Sequence, residues 1–130
     1  MMIDTSALLA VVWNEPEAQR LAEAVNAAPT RRISTVSWLE AMLVSESRSG
    51  PAAAASVLMT LADLEVEAVA FDQAQMFEAH AAWQRFGKGR HPAALNLGDC
   101  CAYAAAVTLG EPLLFKGADF ARTDITAASW

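Results

Sequence analysis

MMIDTSALLAVVW, residues 1–13, passes from strand to helix across a single acid. Met1 to Ile3 is short and apolar and reads as a strand. Asp4 ends it, and Thr5-Ser6 supplies hydroxyls that can cap a helix over ALLAVVW, ending near Asn14. The same alternation runs outward along the chain. Pro16 suits the first turn of a helix over EAQRLAEAVNA, residues 17–27, and Pro29 breaks it. Arg31 to Thr35 is β-rich. Thr35 or Ser37 then caps a helix running through Ser47, which Ser49-Gly50-Pro51 closes. A further helix covers 52–63, and Leu64 to Val69 reads as a strand near the sheet edge. Asp72 caps a long helix to Phe86. A loop follows over 87–95, then a helix from Asp99 to Leu109, a strand from Leu113 to Phe115, a turn over 117–119 and a short strand over 124–127. Alternating β and α elements predict a three-layer α/β/α sandwich with a mainly parallel central sheet.

The bulk properties agree with that architecture. The chain has 130 residues, which fits one domain, 1–130, with a real core. Hydrophobic residues make up 55% and the mean hydropathy is +0.25. That suits a sheet covered on both faces by Ala-rich helices. The longest apolar candidate, AAAASVLMTLA at 52–62, falls short of the ~18 residues a membrane span needs. No signal peptide is evident, and neighbouring Cys100 and Cys101 offer neither a disulfide framework nor a zinc set, so a reducing cytoplasm is expected. A net charge of −6 argues against non-specific nucleic-acid binding but says little about local patches.

Four isolated acids stand out. Asp4 falls at the carboxyl end of the first strand, where open parallel sheets bind ligands. Glu40 lies inside VSWLEAMLV, residues 36–44, and shares a helix face with Val36, Ser37, Leu43 and Val44, so it is expected on the stripe facing the core. Asp99 opens the apolar run DCCAYAAAVTL, and Asp119 follows the strand PLLF and its turn. Each has a plainer reading: Asp4 and Asp99 as helix caps, Asp119 as a turn residue, Glu40 as a half-buried acid paired with an Arg. Taken together, acids gathered at one mouth would repel one another unless a cation sat between them. Hard oxygen donors suit Mg²⁺, with Mn²⁺ as a substitute, and point to phosphoester chemistry.

MIDTSALLA at 2–10, STVSWLEA at 34–41, GKGRHPAALNLGDCCAYA at 87–104 and LLFKGADFARTDI at 113–125 together resemble PIN-domain proteins, specifically the VapC-type toxins of bacterial toxin–antitoxin pairs. The blocks cover most of the chain in the family's order. The resemblance implies a Mg²⁺-dependent endoribonuclease site lined by Asp4, Glu40, Asp99 and Asp119. Many relatives carry an acid where this chain has Ala118. Asp4 and Asp99 would ligate the metal directly, with Glu40 and Asp119 acting through water or a second metal. Thr5, Ser6 and Asn96 are candidate donors that orient the carboxylates, besides being cap and turn residues. The resemblance also implies a small VapB-type antitoxin, a homodimer, and an RNA substrate, a structured RNA such as tRNA among the candidates. Helices 16–27 and 52–63 could supply the apolar interfaces.

An RNA strand needs cations. Lys88, Arg90 and His91 in the loop, with Lys116 and Arg122 flanking Asp119, are the candidate phosphate contacts; the alternative is a solvated loop with structural ion pairs. Two further functions compete. A phospho-acceptor receiver domain shares the length and fold class, but it needs an acid pair after the first strand, where Thr5-Ser6 stands, and an acceptor after the third. An inert PIN scaffold that only binds its partner would not need all four acids.

Overall fold

The computed structural model describes all of Met1–Trp130. Its elements are β1 (Met2–Ile3), α1 (Thr5–Val12), α2 (Ala18–Ala27), β2 (Arg32–Ser34), α3 (Thr35–Ser49), α4 (Ala53–Asp63), β3 (Glu67–Val69), α5 (Gln73–Phe86), α6 (Leu97–Leu109) and β4 (Leu113–Leu114), then a 3₁₀ turn over Phe120–Arg122. The strands form one sheet in the order β3-β2-β1-β4, every pair parallel. The expected last strand over 124–127 shrinks to a single bridge from Ala127 to Leu113.

Register decides which side chains meet. Met2 lies beside Leu113, while Ile3 lies between Ile33 and Leu114. Because side chains alternate across a strand, the two sets point to opposite faces. Met2 and Leu113 pack with Ala82, Phe86, Tyr103 and Phe115 under α5 and α6. Ile3, Ile33 and Leu114 pack with Leu8, Leu21, Val57 and Leu61 under α1, α2 and α4. Both faces are covered, which is the expected sandwich. The edge strand β3 is mostly exposed, and its end carries no acid before Asp72, which caps α5 by accepting from the Gln75 N–H at 2.9 Å.

Three expectations change. The cap of α3 is Ser34, whose hydroxyl accepts from the Val36 N–H; neither Thr35 nor Ser37 does this. The core face of α3 is Ser37, Ala41 and Ser45, small residues that let the helix sit close. Leu43 and Val44 are exposed, so the stripe bearing Glu40 borders the core instead of facing it. Finally, α2 turns Leu21 and Val25 inward and has no apolar outer face, while α4 exposes Leu58 and Met59. The larger exposed apolar set is Leu39 and Leu43 on α3, Met76, Phe77 and Trp83 on α5, and Leu97 at the start of α6.

Candidate functional site

β1 has a neighbour on each side, with β2 reached by one connection and β4 by another, so its carboxyl end is a switch point of the sheet. Asp4 sits there, only 3% exposed. Its backbone N–H donates to the Leu114 carbonyl at 2.9 Å, continuing the β1–β4 ladder. Its carboxylate caps α1 by accepting from the Ser6 N–H at 2.9 Å and from the Ser6 hydroxyl. That hydroxyl in turn accepts from the Lys116 N–H at 3.0 Å, tying the exit of β4 to the acid. Burial pushes the Asp4 carboxyl up to about 6; the Ser6 bonds oppose this, and the charges of Asp99 and Glu40 add to it.

Thr5 turns to the next acid. Its hydroxyl lies 2.6 Å from Glu40 Oε2 and 3.2 Å from the Ser37 carbonyl, both acceptors. Glu40 reaches from α3 to the first turn of α6, where a Cβ placed on Gly98 would lie 2.6 Å from both its carboxylate oxygens. Asp99 follows directly. It is the third residue of α6 in a capping box: Asn96 Oδ1 accepts from the Asp99 N–H at 3.0 Å, and Asp99 Oδ2 accepts from the Asn96 N–H at 2.8 Å. Burial raises the Asp99 carboxyl, and the charges of Glu40 and Asp119 raise it further. Asp119 stands at the start of the 3₁₀ turn, exposed, and makes no capping bond.

The fold therefore gathers Asp4, Glu40 and Asp99, with Asp119 at the rim. Asp4 is the cap of α1, whereas α6 begins at Leu97, two residues before the expected Asp99, and is capped by Asn96; Asp99 is the reciprocal third residue of that box, and both carboxylates lie at helix N-termini, which favour anions. The Arg partner anticipated for Glu40 is absent. None of the ion pairs in the molecule involves any of the four acids. Each carboxylate is turned to its own hydroxyl or N–H donor, or to solvent, and no three close on one point. The donor set is all hard oxygen, uncompensated and mutually repelling, which fits a divalent cation in character.

The basic residues divide. Lys88 is exposed, and the Arg90 guanidinium lies 4.0 Å from the centre of the Trp83 ring. His91 packs edge-on against Phe86 and accepts from the Ala93 N–H through Nδ1. The loop closes on itself through a bridge between Gly87 and Leu95, one residue before Asn96. Lys116 and Arg122 have structural partners. The Lys116 ammonium contacts Glu15 at 2.6 Å and Glu17 at 2.9 Å, and Arg122 donates to the Pro92 carbonyl at 2.8 Å. Sequence reasoning passed over Glu15, Glu17 and Gly98. A glycine in the first turn of an otherwise Ala-rich helix was the one available signal.

A PIN domain family model matches residues 1–125. The chain is 47% identical to the ribonuclease VapC of Mycolicibacterium smegmatis, with 98% of each chain covered. It is 46% identical to ribonuclease VapC30 of Mycobacterium tuberculosis, covering 99% of this chain and 98% of the other. Among solved structures it is similar to VapC20 of Mycobacterium tuberculosis, described as a sarcin–ricin loop cleaving toxin. The TM-score is 0.76 at 15% identity, with 96% and 95% of the chains covered. VapBC2 from Rickettsia felis, bound to a promoter DNA fragment, gives a TM-score of 0.75 at 16% identity over 97% and 94%.

Proposed function

The chain belongs to the PIN-domain family, among the VapC ribonucleases, and on that premise we propose that it is a Mg²⁺-dependent endoribonuclease acting through Asp4, Glu40, Asp99 and Asp119. The observation that carries the reading is electrostatic. Acids from β1, α3, α6 and the β4 exit converge on one end of a parallel sheet, and no Lys, Arg or His in the molecule answers them.

Asp4 and Asp99 are the proposed direct ligands, because both are fixed at helix N-termini and both are held above their ordinary range by burial. Glu40 and Asp119 complete the set through water or a second ion. When bound, the cation supplies a water of lowered pKa and neutralises charge on the scissile phosphate. The chain's own residues orient the acids. Ser6 holds Asp4, Thr5 holds Glu40 and Asn96 holds Asp99. Lys88 and Arg90, free of carboxylate partners, are the proposed contacts to flanking phosphates. Lys116 and Arg122 keep the rim in shape, their contacts to RNA secondary to that. His91 is a further proposed phosphate contact, through the ring nitrogen that the Ala93 N–H does not occupy.

The partner in this reading is a VapB-type antitoxin. Two of the structural neighbours are VapBC assemblies bound to DNA, and a third is a toxin–antitoxin complex. A homodimer is also proposed. Leu39, Leu43 and Leu97, exposed beside Glu40, support a protein neighbour at the mouth of the site. The deciding experiment incubates purified protein with total cellular RNA in Mg²⁺, Mn²⁺ or EDTA, alongside Asp99→Asn. Discrete fragments that need the metal and vanish in the variant are expected. Metal-independent cleavage, or cleavage by Asp99→Asn, would overturn the assignment.

A further inference from the structure

Gly98 is the only glycine in the molecule whose missing side chain is replaced by a carboxylate. A Cβ built there would lie 2.6 Å from each carboxylate oxygen of Glu40 and 2.8 Å from its Cδ, well inside contact distance. The residue is buried in the first turn of α6 and has no left-handed backbone angle. Its conformation therefore does not require glycine. Helix propensity disfavours it, since glycine is worse than alanine inside a helix. The space above its Cα is what glycine provides here. The same carboxylate accepts from the Thr5 hydroxyl, 2.6 Å from Oε2.

We propose that Gly98 and Thr5 form a seat that positions the Glu40 carboxylate between Asp4 and Asp99. The inference rests on the reading of these acids as a metal-dependent site. α3 delivers Glu40 from outside the core, through three flexible side-chain bonds, onto the N-terminus of another helix. Without a seat, that carboxylate would swing out to solvent, away from acids that repel it. The charges of both Asp4 and Asp99 register Glu40, so its carboxylate lies within electrostatic reach of each. The bare Cα of Gly98 lets it approach the helix N-terminus, which attracts anions. Thr5 supplies a donor and fixes the direction of approach. Both are positioning residues acting through Glu40.

The arrangement has an unusual consequence for substitution. The group that a new Cβ would meet is the end of a flexible side chain, so the fold yields at little cost while the carboxylate moves. The test is a double-mutant cycle read by Mn²⁺ binding in calorimetry and by RNA cleavage. Gly98→Ala is expected to melt no lower than the wild type, to bind Mn²⁺ at least tenfold more weakly and to cleave correspondingly slower. In a Glu40→Gln background the same substitution should change Mn²⁺ affinity less than twofold. Thr5→Val supplies an independent arm with the same expected dependence on Glu40, should the alanine variant fold poorly. Unchanged affinity in both single variants, or equal losses with and without Glu40, would overturn the seat. A wild type that neither binds Mn²⁺ nor cleaves RNA would instead remove the ribonuclease reading on which the seat rests.

Discussion

Asp4 carries the largest electrostatic strain of the proposed site. Its carboxyl is held at about 6 by burial, with Asp99 raised for the same first cause. The folded chain therefore binds more protons than the unfolded one between the ordinary carboxyl value and about pH 6. Stability is accordingly greatest below that window and is lost as pH rises through it. At about 1.4 kcal/mol per pKa unit, Asp4 alone accounts for on the order of 3 kcal/mol. Metal-free thermal melts in EDTA between pH 4 and pH 7 should show this decline. Asp4→Asn should flatten it and raise the melting temperature at pH 7. An unaltered pH profile in the variant would mean that the Asp4 carboxyl is not the strained group. In cleavage assays, Asp4→Asn and Asp99→Asn keep the volume and remove a proposed ligand. Each should lower the rate at least ~10²-fold, the upper end of what disturbing an outer-shell partner costs.

Helix α6 links stability to the site. Its N-terminus is fixed by a reciprocal pair of bonds between Asn96 and Asp99, and its C-terminus by Gly110 at φ +64°, a left-handed angle that glycine adopts freely. Between them every residue from Cys100 to Ala106 is buried, and small Ala and Cys side chains let α5 approach. Cys100 and Cys101 are packing residues here: burial pushes the Cys100 thiol up to about 11 and raises Cys101 as well. Asn96→Ala should cost about 1 kcal/mol of stability through the lost cap. The Asn96 backbone N–H that Asp99 Oδ2 accepts survives the substitution, so cleavage should fall only as far as the first turn of α6, freed of the Asn96 Oδ1 bond to the Asp99 N–H, loosens. Denaturant melts and rate measurements on one preparation separate the two effects. The preceding loop, closed between Gly87 and Leu95, presents Lys88 and Arg90 on its outside. Lys88→Ala with Arg90→Ala should weaken RNA binding and reduce the slope of log affinity against log salt by up to about 2, one per phosphate contact. A full slope in the double variant would send the RNA path elsewhere.

At the scale of the molecule, the parallel sheet brings the exits of β1 and β4, with Asp4 and Asp119, to one edge, and α3 and α6 carry Glu40 and Asp99 toward it. A cation that binds only the folded state stabilises it by mass action, about 2.7 kcal/mol at one hundred times its dissociation constant. Mg²⁺ should therefore raise the melting temperature of the wild type and leave Asp4→Asn with a much smaller shift. Equal shifts would place the ion outside the cluster.

Much of this was legible in order along the chain. A strand ending in an acid, an acid inside an apolar helix and acids beside two later element boundaries announced an α/β sheet with a charged mouth. Local chemistry suffices for that, since strand, cap and helix signals act over a few residues. What neighbours do across space was not legible. Whether Glu40 faces the core depended on how α3 seats on Ser37, Ala41 and Ser45, which turned Leu43 and Val44 outward. Lys116 read as a phosphate contact because Glu15 and Glu17, about a hundred positions away in the chain, gave no sign of folding onto it. Gly98 looked like an ordinary helix start until Glu40 was laid across it. The sequence by itself determined the alternation of β and α elements and marked four isolated acids as candidates, because those follow from side-chain chemistry and short-range periodicity. Only the tertiary structure decided which carboxylates share a field and which cations are already paired, because Coulomb interaction and close packing depend on distance in space and not along the chain.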